Sequence, residues 1–199
     1  ATCFMILLIY NLFLKTMTFN ILGLNHNTAS LVIRERLTFS NDEILYALDQ
    51  INAIESVNEV VILSTCNRSE LYLSADEKGL AQVESWLIDY KNINEETATH
   101  LFTKCNEEAI NHISRVACGL DSMILGEPQI LGQLKEAFRI AQDAGTIKDK
   151  LNPLFAHVFS VAKKIRTNTA IGKSPVSVAY AAVTLANQFF AGFKQHTAL

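Results

Sequence analysis

The order of hydrophobic patterns along the 199-residue chain restricts its fold more than any other feature. Strand-like runs and amphipathic helical segments alternate in the first half, in the order β-α-β-β-α-β. After residue 105 the apolar residues recur at helical spacing. The first order is that of a ferredoxin-like unit. The sequence therefore predicts an α+β fold: a ferredoxin-like βαββαβ subdomain followed by a helical subdomain.

Local signals support this order in the first half. Ser40 and Glu43 have the spacing of a capping box, which marks the start of a helix. Gly23 lies inside a strand-like run, where it indicates a close backbone approach or a bend. The predicted strands are 19–24, 60–64, 70–74 and a short fourth one at 100–104, and the second helix covers 80–90.

Helical periodicity dominates the second half. Two stripes end at glycines, Gly119 and Gly145, which are typical of helix C-termini. Pro128 prevents residues 119–129 from forming one continuous helix. A third stripe covers 154–165, and Ser174, followed by proline, predicts the start of a fourth helix.

Composition excludes several classes of protein. A hydrophobic fraction of 49% and a charged fraction of 19% are globular values, and a net charge of −3 gives no general attraction for polyanions. The four cysteines lack the close, even spacing of a secreted disulfide framework, so we expect a reducing compartment.

The apolar run within residues 1–16 is too short to span a bilayer. We expect native translation to begin at Met17, with residues 1–16 as an upstream extension.

Cys66 is the first candidate for chemistry. It lies in a polar loop between two strand-like runs, with Thr65 before it and Arg68 and Glu70 after it. A nearby cation favours the reactive thiolate form of a cysteine. A half-buried cysteine that caps a hairpin would give the same local pattern.

Two further polar groups complete a candidate site. His112 shares a helical face with Arg115, and the segment 119–129 carries Ser122, Glu127 and Gln129 between two apolar stripes. A thiol, a histidine and convergent polar groups suit acyl transfer. The alternatives are a surface or hydrogen-bonded core histidine and, for Glu127, an acid at a helix start. Cys66, Cys105, His112 and Cys118 lack zinc-site spacing, so no metal is predicted.

Five long blocks of the chain, in the same order, resemble glutamyl-tRNA reductases. They are residues 23–26, 63–70, 112–122, 126–133 and 162–167. The resemblance extends over about 18–187, and Cys118 stands where a small residue such as serine is usual. We therefore identify the chain as a member of this family.

The resemblance implies a reaction and a role for each candidate residue. The family reduces the glutamyl group of glutamyl-tRNA(Glu) to glutamate-1-semialdehyde with NADPH, the first step of five-carbon tetrapyrrole synthesis. Cys66 matches the nucleophile that forms a glutamyl thioester, and His112 matches a histidine that manages a proton or places the substrate. The positions that match the glutamyl-binding pocket are Thr65, Arg68, Glu70, Ser122 and Gln129, with Glu127 in the same motif. By charge, Arg68 would meet the substrate carboxylate and Glu70 its ammonium.

The resemblance also implies a domain plan. Residues 17–172 match the catalytic domain, with a ferredoxin-like part at 17–105 and a helical part at 106–172, and residues 173–199 match the start of a long connecting helix. The family places its NADPH-binding domain after this helix and its dimerisation domain after that, and no G-x-G-x-x-G occurs in this sequence, so both domains are expected to be absent. Such a fragment would form the thioester or act as a slow esterase, without reducing the substrate.

Further expectations concern partners. The full-length enzyme would be a cytoplasmic homodimer, dimerised through the absent C-terminal domain, in complex with the downstream aminomutase and without membrane contact. A local basic face at Lys163, Lys164 and Arg166, with Lys148 and Lys150 upstream, would either contact tRNA or be a solvated helix flank. Two other classes remain open: a non-catalytic tRNA- or protein-binding module, and a metal-dependent regulatory domain.

Overall fold

The computed structural model describes residues 18–172. These residues form four strands and seven helices, followed by a short 3₁₀ turn at Ala170–Gly172. The strands are β1 (Phe19–Asn25), β2 (Val57–Thr65), β3 (Arg68–Ala75) and β4 (Phe102–Cys105). The helices are α1 (Leu31–Leu37), α2 (Asn41–Asn52), α3 (Glu77–Tyr90), α4 (Glu95–Ala98), α5 (Asn106–Cys118), α6 (Gln129–Asp143) and α7 (Leu151–Asn168).

The strands form one antiparallel sheet with the order β2-β3-β1-β4. This arrangement, with α2 and α3 as the long helices between strands, confirms the predicted βαββαβ unit and its short fourth strand. Gly23 pairs with Glu70 across β1 and β3. A Cβ atom on Gly23 would overlap the carbonyl oxygen of Ser69, so the predicted close approach is present. The two central strands are therefore drawn together beside the candidate site.

Helices cover both faces of the central strands. Successive residues of a strand point to opposite faces. The ring of Tyr72 on β3 lies edge-on to that of Phe155 on α7, with 5.8 Å between the ring centroids. On the other face, a Cβ atom on Gly79 of α3 would contact the methyl group of Ala75. All residues of β1 and β3 are buried as a result.

The helix boundaries follow the predicted capping signals. Ser40 and Glu43 form the complete capping box at the start of α2. Gly119 has a φ of 76° and caps the C-terminus of α5 in the left-handed conformation that glycine tolerates best. Pro128 directly precedes α6, so residues 119–128 form a separate loop. We refer to residues 119–128 as the connecting loop.

The helical part is attached to the sheet by a buried carboxylate. Glu59 of β2 is fully buried. Its two carboxylate oxygens accept hydrogen bonds from the backbone amides of Lys148, Lys150 and Leu151, at 2.8 to 2.9 Å. Because the first amides of a helix have no partner within the helix, Glu59 acts as the cap that α7 otherwise lacks.

Some elements of the structure were not predicted, and some predictions concern residues outside 18–172. Neither of the short helices α1 and α4 was predicted, since their seven and four residues carry too little periodicity. Residues 1–16 and the helix predicted from Ser174 lie outside the described residues. Within residues 18–172, no helix has the length and apolar character needed to cross a membrane.

Candidate active site

Cys66 is an exposed free thiol at the turn that joins β2 to β3. Thr65 and Arg68 are the last paired residues of the two strands. The hydroxyl oxygen of Thr65 accepts hydrogen bonds from the backbone amides of Asn67 and Arg68, both at 3.2 Å. These two hydrogen bonds from Thr65 hold the turn, and Cys66 is exposed on it.

Residues from the first part of the chain hold the same turn from the side. The backbone amide of His26 donates to the carbonyl oxygen of Asn67 at 2.9 Å. The guanidinium of Arg34, on α1, donates through Nε to the carbonyl oxygen of Cys66 at 3.3 Å and through Nη1 to that of Ala29 at 2.8 Å. Arg34 is buried and forms no ion pair with any residue in 18–172. Sequence reasoning missed it because α1 was not predicted.

A buried network lies behind the turn. Arg68 is 1% exposed and Glu70 is 0% exposed. The Nη1 atom of Arg68 donates to Oε1 of Glu70 at 2.8 Å, and the hydroxyl of Tyr72 donates to Oε2 at 2.8 Å. The Nε2 atom of His112 lies 3.1 Å from both oxygens of Glu70. All three partners therefore converge on one carboxylate.

These contacts determine the charge state of the network. Burial alone would raise the pKa of Glu70, but the hydrogen bond from His112, the charge of Arg68 and the hydrogen bond from Tyr72 together lower it. Burial and the neighbouring Glu70 carboxylate raise the pKa of Tyr72 well above its ordinary value of 10.0. Burial, followed by the positive charges of Arg68 and Arg34, lowers the pKa of His26. At neutral pH Glu70 is therefore anionic, Tyr72 is a hydrogen-bond donor and His26 is neutral.

The connecting loop reaches this network through Asp121. Nη2 of Arg68 donates to the backbone oxygen of Asp121 at 2.6 Å. The Asp121 carboxylate accepts from Arg115 at 2.8 Å, and its other oxygen lies 3.7 Å from Nδ1 of His112. The second distance is too long for a hydrogen bond. His112 thus has one nitrogen engaged by Glu70 and the other close to Asp121 without a direct bond.

An open cavity of about 380 Å³ lies next to this network. Its wall includes His112, Arg115 and Asp121, together with Asn25 from β1 and Lys104 from β4. Both charge signs are present, which suits a small zwitterionic ligand such as an amino-acid group. Of the predicted site residues, only His112 lines this cavity.

The structure brings some predicted site residues together and leaves others apart. Thr65, Arg68, Glu70 and His112 are joined by the contacts above, and Cys66 lies in the turn between Thr65 and Arg68. Ser122 is half-buried and follows Asp121 directly in the connecting loop. Glu127 is half-buried and Gln129 is exposed at the start of α6, and neither side chain bonds to another residue within 18–172.

Sequence reasoning also missed Tyr72 and Asp121. Tyr72 could have been found from the period of two that places it on the same face of β3 as Arg68 and Glu70. Asp121 acts partly through its backbone oxygen, which no side-chain pattern reveals. Within the described part of the chain, no group of three or more histidine, cysteine or acidic side chains could hold a metal ion.

Comparison with known proteins gives consistent matches. A family profile described as "Glutamyl-tRNAGlu reductase, N-terminal domain" matches residues 22–169. Curated relatives named glutamyl-tRNA reductase are 50% identical in Ectopseudomonas mendocina and in Saccharophagus degradans and 48% identical in Pseudomonas aeruginosa, each over 92% of this chain. The chain spans 43 to 44% of the length of these relatives.

A solved structure shows the same similarity. Glutamyl-tRNA reductase from Methanopyrus kandleri superposes with a TM-score of 0.69 at 31% sequence identity. The match covers 85% of this chain and 39% of that chain. At 31% identity, the similarity extends to the sequence as well as to the fold.

Proposed function

Since the chain belongs to the family of glutamyl-tRNA reductase N-terminal domains, as the sequence resemblance predicted, we propose that it carries out the acyl-transfer step of that enzyme. The observation that supports this most directly is the exposed Cys66 thiol, held beside a buried Arg68–Glu70–His112 network. The substrate is glutamyl-tRNA, whose ester joins the glutamyl group to the ribose at the 3′ end.

The proposed step exchanges an oxygen ester for a thioester. The Cys66 sulfur, as thiolate, forms a bond to the ester carbonyl carbon, and the bond from that carbon to the ribose oxygen breaks. The thiol proton leaves the sulfur, and the departing ribose oxygen takes up a proton to become a hydroxyl. The products are free tRNA and a glutamyl thioester on Cys66.

His112 is placed to manage that proton or to position the substrate. Nε2 of His112 lies 3.1 Å from both oxygens of the anionic Glu70, so Nδ1 is the ring nitrogen that remains for the substrate. Because His112 lines the cavity, Nδ1 is the atom we assign to contact with the substrate. A positioned acid or base of this kind contributes about 10²- to 10⁴-fold in rate.

We propose a different role for Glu70 from the one its charge suggested. Its two oxygens already bind Arg68, Tyr72 and His112, and it is fully buried, so we assign it to positioning. Arg68 is 1% exposed, with Nη1 on Glu70 and Nη2 on the backbone oxygen of Asp121, so we assign it likewise to positioning rather than to direct contact with the substrate carboxylate. Ser122, Glu127 and Gln129, with Thr65 at the turn, remain the proposed substrate contacts.

NADPH does not fit the described residues. The sheet is antiparallel, and the connections from β1 to α1 and from β3 to α3 contain no glycine. A dinucleotide site of the usual kind needs a glycine-rich turn between a strand and a helix of a parallel sheet. We therefore derive no reduction step from this chain.

For the whole protein we propose the wider activity that the family implies. This is NADPH-dependent formation of glutamate-1-semialdehyde for tetrapyrrole synthesis, by a cytoplasmic homodimer that passes its product to an aminomutase. The fold of this chain supports the acyl-transfer step of that activity.

The test is intact-mass detection of a glutamyl adduct after the chain is mixed with glutamyl-tRNA. We expect one adduct, located on Cys66 by peptide mapping and lost in Cys66→Ser. Cys105→Ser is the matched control, because Cys105 is also an exposed free thiol, and it should keep the adduct. Binding of glutamyl-tRNA without any adduct would instead support a non-catalytic binding module.

A further inference from the structure

A second cavity, remote in sequence from the thiol, lies between α6 and α7. It has a volume of about 650 Å³ and is lined by Lys135 of α6 and by Lys163 and Arg166 of α7, with Phe159 in its wall. None of the residues that line it is acidic. We call this cavity the α6–α7 groove.

The cations of the groove are not neutralised. Within residues 18–172, none of the three forms an ion pair with a carboxylate. Arg166 donates through Nη1 to the backbone oxygen of Gly126 at 3.3 Å, and Nζ of Lys135 lies 5.8 Å from the centroid of the Phe159 ring. The whole chain has a net charge of −3. A set of unpaired cations in one groove of an acidic protein is an electrostatic footprint for a polyanion.

The connecting loop relates this groove to the candidate active site. At one end, Asp121 binds Arg68 of the buried network, and at the other Gly126 binds Arg166 of the groove. The loop is also closed on itself, because the amide of Gly126 donates to the carbonyl oxygen of Gly119 at 2.8 Å. With about 3.6 Å of reach per residue, the two guanidinium groups lie at most about 25 Å apart.

That distance matches a short stretch of an RNA strand. In double-stranded DNA, neighbouring phosphates of one strand are about 3.4 Å apart along the axis, and at a comparable spacing 25 Å corresponds to about seven nucleotides. A strand whose acylated 3′ end lies at Cys66, two residues before Arg68, therefore has the reach to place phosphates of its last few nucleotides at the groove. Lysine and arginine contacts to phosphate position an RNA without reading its sequence.

We infer that the α6–α7 groove binds the phosphate backbone of the acceptor end of the tRNA, through Lys135, Lys163 and Arg166. This inference rests on the proposed function, which places the acylated end at Cys66. Of the basic residues predicted from the sequence to share one face, only Lys163 and Arg166 line the groove. Lys164 is exposed but does not line the groove, and the backbone amides of Lys148 and Lys150 bind Glu59 at the opposite end of α7.

The experiment measures binding of fluorescently labelled, uncharged tRNA(Glu) to the chain over a range of salt concentrations. Lys163→Gln and the double variant Lys135→Gln/Lys163→Gln are compared with Lys164→Gln, which removes the same charge one residue away. Each variant is also tested with two hairpins, one carrying the acceptor stem with its 3′ end and one carrying the anticodon stem.

We expect the slope of log K against log salt to become shallower by about 0.7 to 0.9 for each groove lysine removed. Lys164→Gln should keep the slope of the unaltered chain. The effect of Lys163→Gln should persist with the acceptor hairpin and vanish with the anticodon hairpin. Equal slopes for Lys163→Gln and Lys164→Gln, or an effect seen only with the anticodon hairpin, would overturn the inference.

Adduct formation on Cys66 is measured in parallel with the unaltered chain. Its absence would count against the proposed function, whatever the salt slopes show. An unchanged slope in Lys163→Gln beside a normal Cys66 adduct would count against the groove alone. The two failures are therefore distinguishable.

Discussion

At the scale of single residues, the candidate site depends on charges that are buried. Arg68, Glu70 and Tyr72 alternate along β3 and therefore share one face of the sheet. Removal of one partner from such a buried pair leaves an unpaired charge and costs about 3–5 kcal/mol. Glu70 is accordingly a residue that holds Arg68 and His112 in place, while the exposed thiol is left free to react.

Arg34 provides a test at this scale. Its Nε atom donates to the carbonyl oxygen of Cys66, and a hydrogen bond from a charged group contributes about 1.5–3 kcal/mol. If that bond orients the thiol, Arg34→Gln should slow thioester formation by roughly tenfold or more, since tenfold corresponds to about 1.4 kcal/mol. The measurement is the single-turnover rate of adduct formation at saturating glutamyl-tRNA.

The matched control for this prediction is Arg36→Gln. Arg36 lies on the same short helix and carries the same charge, but it is exposed. We expect its adduct rate to equal that of the unaltered chain. Similar losses in both variants would mean that general charge, and not the bond to Cys66, matters.

At the scale of elements, the start of α7 depends on a residue from β2. Glu59 lies 89 to 92 residues before the amides that it caps. It sits where the pairing of β2 and β3 shifts register, between Val57 and Glu59. An irregularity of this kind can redirect a side chain. Here the carboxylate of Glu59 lies in the interface between the sheet and the helices.

Glu59→Gln should therefore lower the free energy of unfolding. A glutamine offers one acceptor oxygen in place of two, so at least one of the three amides loses its partner. Each buried donor left unsatisfied costs about 1–3 kcal/mol. The measurement is urea unfolding at neutral pH. Glu55→Gln is the control, since Glu55 is exposed just before β2, and its stability should stay within about 0.5 kcal/mol of the unaltered chain.

At the scale of the whole molecule, the site forms where distant parts of the chain meet. His26, next to β1, contacts the Cys66 turn, α5 contributes His112, and the connecting loop contributes Asp121. The packing of α5 on the central sheet brings these parts together. Loss of this packing would therefore also separate the residues of the site.

The pKa shifts predict how the stability of the fold depends on pH. A group whose pKa is lower in the folded protein than in the unfolded chain binds more protons when unfolded, so stability falls as pH decreases. For His26 the loss begins below the ordinary value of 6.5, and for Glu70 below 4.5. Urea unfolding from about pH 8 down to about pH 4 should show stability falling in these two successive ranges.

His26→Asn separates the two ranges. This variant should lose the pH dependence that begins near 6.5 and keep the one that begins near 4.5. A stability that stays constant from about pH 8 to about pH 5 in the unaltered chain would contradict the lowered pKa of His26.

Much of the fold follows from neighbouring residues, which is why the sequence predicted it. The capping box at Ser40, the left-handed Gly119 and the order of strands and helices along the chain arise from local spacing and local conformational preference. The exposed turn at Cys66 is of the same kind, because it depends only on the two strands that flank it. Helix α1 escaped prediction since seven residues carry too weak a periodic signal.

The sequence by itself determined the α+β order, the family and the identity of the candidate nucleophile. Only the tertiary structure decided that Glu70 binds Arg68 and His112, that Arg34 holds the turn, and that Glu59 caps a helix from another part of the chain. The reason is physical: a buried charge must find its partner in space. Sequence spacing does not report which distant groups the packing of helices on a sheet will bring within hydrogen-bond distance.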